Sequence, residues 1–162
     1  MQTFTFALFI ITLVTGVLSD KNVRGDITDL TSDCGSTGGE IVSVTMANCD
    51  ASVDDRCQVT KGETVTGQLT FMANKATQSL KCRIFGVIGG VPIPYPGGCP
   101  VVDACSSLST GKCPIKVGEK LVYNMEMFID PIYPAVKIDG KWTLKDDTDS
   151  NFVCFTVPIT II

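Results

Sequence analysis

Eight cysteines and no histidine constrain this chain more than any other feature of its 162 residues. An even cysteine count with no histidine beside it points to disulfides rather than to a zinc site, and disulfides call for an oxidising compartment. The missing histidine excludes Ser-His-Asp and Cys-His catalysis, imidazole metal ligands and the usual switch near neutral pH. Nothing in the sequence would activate a free thiol, so a cysteine nucleophile is set aside. Eight cysteines allow 105 pairings, and spacing alone does not choose among them. Cys34 and Cys154 lie near the two ends, where a bond would tie the first strand to the last. Cys49 and Cys57 bracket a short turn-like segment, Cys99, Cys105 and Cys113 crowd one loop, and Cys82 falls in a strand.

The N-terminus agrees with that compartment. Residues 1–19 carry no charged side chain, and the stretch from Phe4 to Leu18 is almost wholly apolar. A membrane span needs about 20 apolar residues, and this run is shorter. Val17 and Ser19 place small residues at the −3 and −1 positions before Asp20, as a signal-peptide cleavage site requires. We therefore read 1–19 as a signal peptide and 20–162 as one secreted or lumenal domain, extracellular or lysosomal. The net charge of −4 gives no footprint for a nucleic-acid backbone.

Beyond the leader the hydrophobic period is two. In 135–145, Val136, Ile138, Trp142 and Leu144 alternate with Lys137, Asp139, Lys141, Thr143 and Lys145. That is a half-buried strand with one solvated face. Residues 63–72 repeat it through Val65, Leu69 and Phe71, and 119–129 through Leu121, Tyr123, Met125 and Met127. Strands at 40–48, 79–88 and 152–161 complete the pattern, the last apolar on both faces as a well-covered strand would be. Gly38-Gly39, Lys61-Gly62, Gly89-Gly90, Gly97-Gly98, Gly118 and Asp146-Asp147 punctuate the runs. About seven short strands without a helix predict an all-β fold, an antiparallel sandwich. Asp146, Asp147 and Asp149 match no calcium-loop spacing and read as a solvated acidic turn.

Several segments, taken in order, resemble the ML family of lipid-recognition domains, in its Niemann-Pick type C2 branch. They are Asp33-Cys34-Gly35-Ser36 with Gly39, a strand ending at Cys49, then Cys57 and Lys61-Gly62. Gly86 to Pro96, Cys113-Pro114, Gly118, Tyr133-Pro134, Trp142 with Asp146-Asp147, and Phe152 to Cys154 followed by Pro158 complete the set. The resemblance implies an immunoglobulin-like β-sandwich of two antiparallel sheets, stapled by disulfides, that holds a sterol or similar lipid between them. It implies the pairs Cys34–Cys154, Cys49–Cys57 and Cys99–Cys113. Cys82 and Cys105 depart from the family pattern and leave the pairing of Cys82, Cys99, Cys105 and Cys113 open, with a bond to Cys82 the simplest completion.

The resemblance also implies a site. Tyr95, Ile129, Tyr133 and Pro134 would surround an entrance, with Trp142, Phe155, Phe71, Leu69 and Val136 as deeper walls. Tyr95 stands where the family usually has phenylalanine, so its hydroxyl would add a polar contact at the rim. Two plainer readings compete: the Val91–Pro96 segment as a rigid hairpin, and Trp142 as ordinary core. Met125, Met127 and Phe128 fit either packing or a soft pocket surface. The expected activity is transfer of a sterol between membranes by a monomer, without enzyme chemistry or cofactor, in passing contact with membranes or a membrane sterol transporter. A carrier of fatty acids or small hydrophobic signals, an innate-immune lipid-recognition protein and a purely structural sandwich are the competing functions.

Overall fold

The alternating pattern becomes eleven strands over residues 24–162, the part of the chain that this computed structural model describes. The leader at 1–19 and its cleavage site lie outside the described residues. In chain order the strands are β1 (Arg24–Asp26), β2 (Ser32–Asp33), β3 (Gly39–Ala47), β4 (Cys57–Val59), β5 (Thr64–Ala73), β6 (Lys81–Ile88), β7 (Val91–Pro94), β8 (Leu108–Thr110), β9 (Lys120–Phe128), β10 (Val136–Lys145) and β11 (Asn151–Ile161). The six long ones are the six that alternation identifies. The other five span two to four residues, too few to display a period, so the sequence yields about seven.

Two sheets face each other in an immunoglobulin-like sandwich. One has the order β1-β3-β5-β9-β8 and the other β2-β11-β10-β6-β7. Among the described residues all strand pairings are antiparallel except one: β4 runs parallel to β11, with Cys57 beside Ile159, so the second sheet is mixed at that edge. Between the sheets the core is solid at one end, where Phe71 and Phe152 meet edge-to-face at 6.1 Å. Leu69, Phe71, Leu121, Leu144 and Phe152 are all fully buried there. Each such side chain contributes roughly 1.5–3 kcal/mol of burial.

Two local departures from simple alternation have visible causes. Ile41 and Val44 both face inward although three residues apart. Val42 forms a β-bulge between them, so Ile41 pairs with Phe71 and Val44 with Leu69. Thr143, expected on the solvated face, is buried instead. It sits opposite Cys154 on β11, its hydroxyl 3.6 Å from that sulfur, under the Cys34–Cys154 bridge.

All eight cysteines are paired. Cys34–Cys154 and Cys49–Cys57 form as the resemblance implies. The Cys99–Cys113 bond does not: the pairs are Cys82–Cys99 and Cys105–Cys113. Cys82 on β6 captures Cys99 and leaves Cys105 for Cys113, so this loop is held by two short staples. Beside them, the Val91–Pro94 segment is a strand after all. Gly89 and Gly90, at φ of 58° and 82°, make the tight turn that folds β7 back on β6. Pro92 and Pro94 carry no N–H, so this sheet edge offers little to a pairing chain.

The acidic turn between β10 and β11 is not solvated at its first residue. The Asp146 side chain is fully buried against its own turn. Its carboxylate accepts the Lys75 ammonium at 2.9 Å, the Thr148 hydroxyl at 2.6 Å and the amides of Thr148 and Ser150. Burial opposes ionisation, but these donors outweigh it and hold the carboxyl at about 2. A lowered acid pKa stabilises the fold above the unfolded value near 4 and loses that contribution as pH falls toward 2. The expected loss is about 1–2 kcal/mol, allowing for solvent screening at a turn. Chemical denaturation from pH 7 to 2.5 should therefore show a fall below pH 4 in the native chain that Asp146→Asn largely lacks. Parallel curves for the two proteins would remove Asp146 as the cause.

Candidate functional site

The sheets pack solidly only as far as the level of Leu69 and Tyr123, which are register partners on β5 and β9. Beyond that level they part and enclose a cavity of about 220 Å³. Missing side chains help to make the space. Gly86 on β6 and Gly140 on β10 stand directly opposite one another in the register, and Gly67 lies on β5 across the gap. Glycine inside a strand often marks a close approach by backbone or ligand. The wall contributed by β3 and β9 is Met46, Met125 and Met127, long flexible side chains that repack readily. The facing wall is Ile84, Ile138, Trp142, Phe155, Val157 and Ile159. Among the described residues, no Asp, Glu, Lys or Arg lines the cavity.

The rim is aromatic. Tyr95 follows β7 and Tyr133 precedes β10, and their rings lie 5.4 Å apart at a 35° tilt. The Tyr95 hydroxyl donates to the Phe128 carbonyl at the end of β9, which ties the rim of one sheet to the other. The Tyr95 hydroxyl, expected as a polar contact at the rim, is therefore a cross-sheet contact. Gly97 lies under the Tyr95 ring, so close that a β-carbon there would stand 2.8 Å from Cε1. Burial pushes both phenols up from their ordinary value, and for Tyr133 the neighbouring Tyr95 adds to it. Ile88, Val91, Ile93 and Ile132 are exposed around this end.

At the closed end the indole Nε1 of Trp142 is buried. Tyr123 sits beside it from the opposite sheet. Burial pushes that phenol up to about 12, while the Trp142 indole N–H works the other way.

The structure gathers Tyr95, Ile129, Tyr133, Pro134, Val136, Trp142 and Phe155 around this one cavity. Leu69 and Phe71 do not join them. Both are fully buried in the solid end, past the level at which the sheets separate. Parity places a residue on the inner face but does not say how far along the strand the space begins. Sequence reasoning missed the three glycines and Met46. The glycines were detectable, since each stands at an inward position of an otherwise apolar strand.

An apolar space between two disulfide-stapled sheets, open at an aromatic rim, defines a β-sandwich module built to enclose a hydrophobic molecule. The ML domain family model matches residues 29–161, and the chain belongs to that family. It is 33% identical over 130 residues to the NPC intracellular cholesterol transporter 2 of Danio rerio, covering 80% of this chain and 83% of the relative. The Bos taurus protein of the same name is 31% identical over 129 residues, with 80% and 82% covered. A Niemann-Pick type C2 protein from the Japanese carpenter ant has the same fold, with a TM-score of 0.73, 24% identity, and 81% and 98% of the two chains covered.

Proposed function

We propose that this chain carries a sterol, or a hydrophobic molecule of similar size, between its sheets and transfers it between membranes. The observation that carries the reading is the apolar cavity of about 220 Å³ between the sheets, in a chain of the ML family. Each 100 Å² of ligand surface removed from water is worth roughly 2.5 kcal/mol, so enclosure alone supplies the affinity. Such binding needs no reaction chemistry, and the lining offers no acid–base pair. Ligand pockets commonly span roughly 300–1,000 Å³, so a sterol would require this cavity to widen. The methionine wall and the hydrogen-bonded rim are the parts that would yield. The four disulfides and the leader fit a monomer working in secreted fluid or an organelle lumen, meeting membranes or a membrane transporter only in passing.

Fluorescent-sterol titration of the secreted protein tests the reading. Saturable binding is expected, weakened roughly tenfold in Tyr133→Ala, about 1.4 kcal/mol of lost rim contact. Ile129→Asp, which puts a charge on the cavity wall, should weaken it further. Native affinity in both variants would remove the cavity as the site. Mass spectrometry of extracted ligand that returned only fatty acids would replace the sterol by an acyl chain.

A further inference from the structure

The two sheets differ sharply in the charge they turn outward. On the outer face of the second sheet, β6 presents Lys81 and Arg83, and β10 presents Lys137, Lys141 and Lys145. These two strands hold five of the chain's 13 cations but only one of its 17 acids, Asp139. On the other sheet β5 carries no charged residue, and β9 carries only Lys120 and Glu126. The register crowds the cations together. Lys145 stands directly opposite Lys81, Arg83 opposite Thr143, and Lys141 opposite Phe85, its Nζ 5.8 Å from the centre of that ring. Like charges directly opposite one another destabilise a sheet, and a local rule broken in this way points to function. No carboxylate answers them: among the described residues none of the five cations forms an ion pair. Asp139 lies 3.7 Å from Arg56, and the Asp103 carboxylate, beside Lys81, accepts the Cys105 amide. In the adjoining turn Asp146 is taken by Lys75 and Asp147 by Thr77, and Lys145 Nζ donates only to the Asp149 backbone carbonyl.

We propose that the outer face of β6 and β10 is a docking surface for a sulfated polysaccharide. Lys137 and Lys145 are eight residues apart, about 26 Å along an extended strand, while neighbouring strands lie only about 5 Å apart. The cations therefore form a band, long in one direction and narrow in the other, which matches a linear polyanion with sulfates at repeating positions. Arg83 supplies a planar fork for an oxyanion, and the lysines supply point charges on flexible stems. A bilayer fits this face less well. Lys81, Arg83, Lys141 and Lys145 lie toward the closed end, whereas the exposed Ile88, Val91, Ile93 and Ile132 stand at the mouth. A bilayer docked on the band would lie along the side of the sandwich, away from the rim. A polysaccharide held there leaves the rim free, so the protein is retained on an extracellular matrix with its cavity still open to lipid. None of the five cations lines that cavity, so the docking surface stands apart from the sterol reading.

The test titrates the full secreted chain at about 0.15 M salt with a heparin oligosaccharide, with unsulfated hyaluronan and with phosphatidylserine vesicles. Heparin alone is expected to bind, and its affinity should vanish near 1 M salt, where the screening length is about 3 Å. The triple variant Arg83→Gln/Lys141→Gln/Lys145→Gln should bind heparin at least roughly tenfold more weakly and keep native sterol affinity. Lys112→Gln/Lys116→Gln/Lys120→Gln removes the same charge elsewhere and should leave heparin affinity near native. In a 15N-labelled native sample, heparin should move the amide resonances of β6 and β10, a readout that holds even if the first variant does not fold. Absence of heparin binding, equal losses in the two triple variants, or amide shifts confined to other strands would overturn the docking surface. Hyaluronan binding as tightly as heparin, or vesicles binding in its place, would overturn the sulfated polysaccharide as occupant. Each of these outcomes leaves the sterol reading standing, and a failure to bind sterol leaves the docking surface standing.

Discussion

Replacing Gly86 by leucine is expected to abolish sterol binding while leaving the sandwich folded and no less stable. A β-carbon built on Gly86 meets nothing closer than Ile138 Cδ1 at 3.4 Å, an ordinary van der Waals contact. The rest of a leucine side chain would then grow into the cavity. The two other cavity glycines cannot serve. A β-carbon on Gly67 would stand 2.4 Å from the Thr45 carbonyl oxygen, which is backbone. One on Gly140 would stand 2.6 Å from Ile159 Cδ1, so the β11 side chain would have to move first. At Gly86 the apolar side chain fills space that is otherwise empty. Burying a leucine contributes roughly 1.5–3 kcal/mol, and removing glycine from a strand interior adds about 0.5–1 kcal/mol. The ligand loses the same space, and overpacking should weaken it by at least about 100-fold, or roughly 3 kcal/mol. Fluorescent-sterol titration and thermal melting of the same sample check both halves. Native affinity would place the ligand outside the cavity, and a lower melting temperature would mean that the space at Gly86 is already filled.

That experiment turns on a residue type that sequence reading passes over, and the reason is physical. Alternation reports which side of a strand faces inward, because burial repels charge. It correctly put Val136, Trp142 and Phe155 inside. It says nothing about distance between the sheets, which depends on side-chain volume summed across both of them. Leu69 and Phe71 therefore read the same as Met125 and Met127. Only the register, which sets Leu69 against Tyr123 and Gly67 against Met125, shows where packing stops and space begins. The cysteines divide in the same way. Cys34–Cys154 and Cys49–Cys57 follow from the family resemblance. The other four depend on Cys82, whose position on β6 beside Leu144 brings it to Cys99, a tertiary fact that spacing does not contain. The short strands β2 and β4 are also tertiary, since each exists only because β11 offers an edge.

The second large effect is the converse of the first, with stability lost and binding kept. Cys34–Cys154 closes a loop of 120 residues, the longest of the four bridges. In the loop-entropy account such a bond stabilises by restricting the unfolded chain, here by about 5 kcal/mol. Cys105–Cys113 closes only eight residues and is worth roughly 2.5 kcal/mol on the same account. The double variant Cys34→Ser/Cys154→Ser should therefore lose about twice the stability of Cys105→Ser/Cys113→Ser in guanidinium titrations. The fully buried position of Cys154, over Thr143, adds to the first loss. Most domains have only about 5–15 kcal/mol to lose, so the first variant should melt far below the native chain. Below its melting point the sandwich should still bind. The bridge lies on the outer face of the second sheet and lines no part of the cavity. Sterol affinity measured in the cold should match the native value, and saturating sterol should raise the melting temperature by mass action. Equal losses in the two serine pairs would count against the loop-entropy account. A weaker sterol affinity in the folded Cys34→Ser/Cys154→Ser protein would show that the bridge also positions Phe155, the neighbour of Cys154 on the cavity wall.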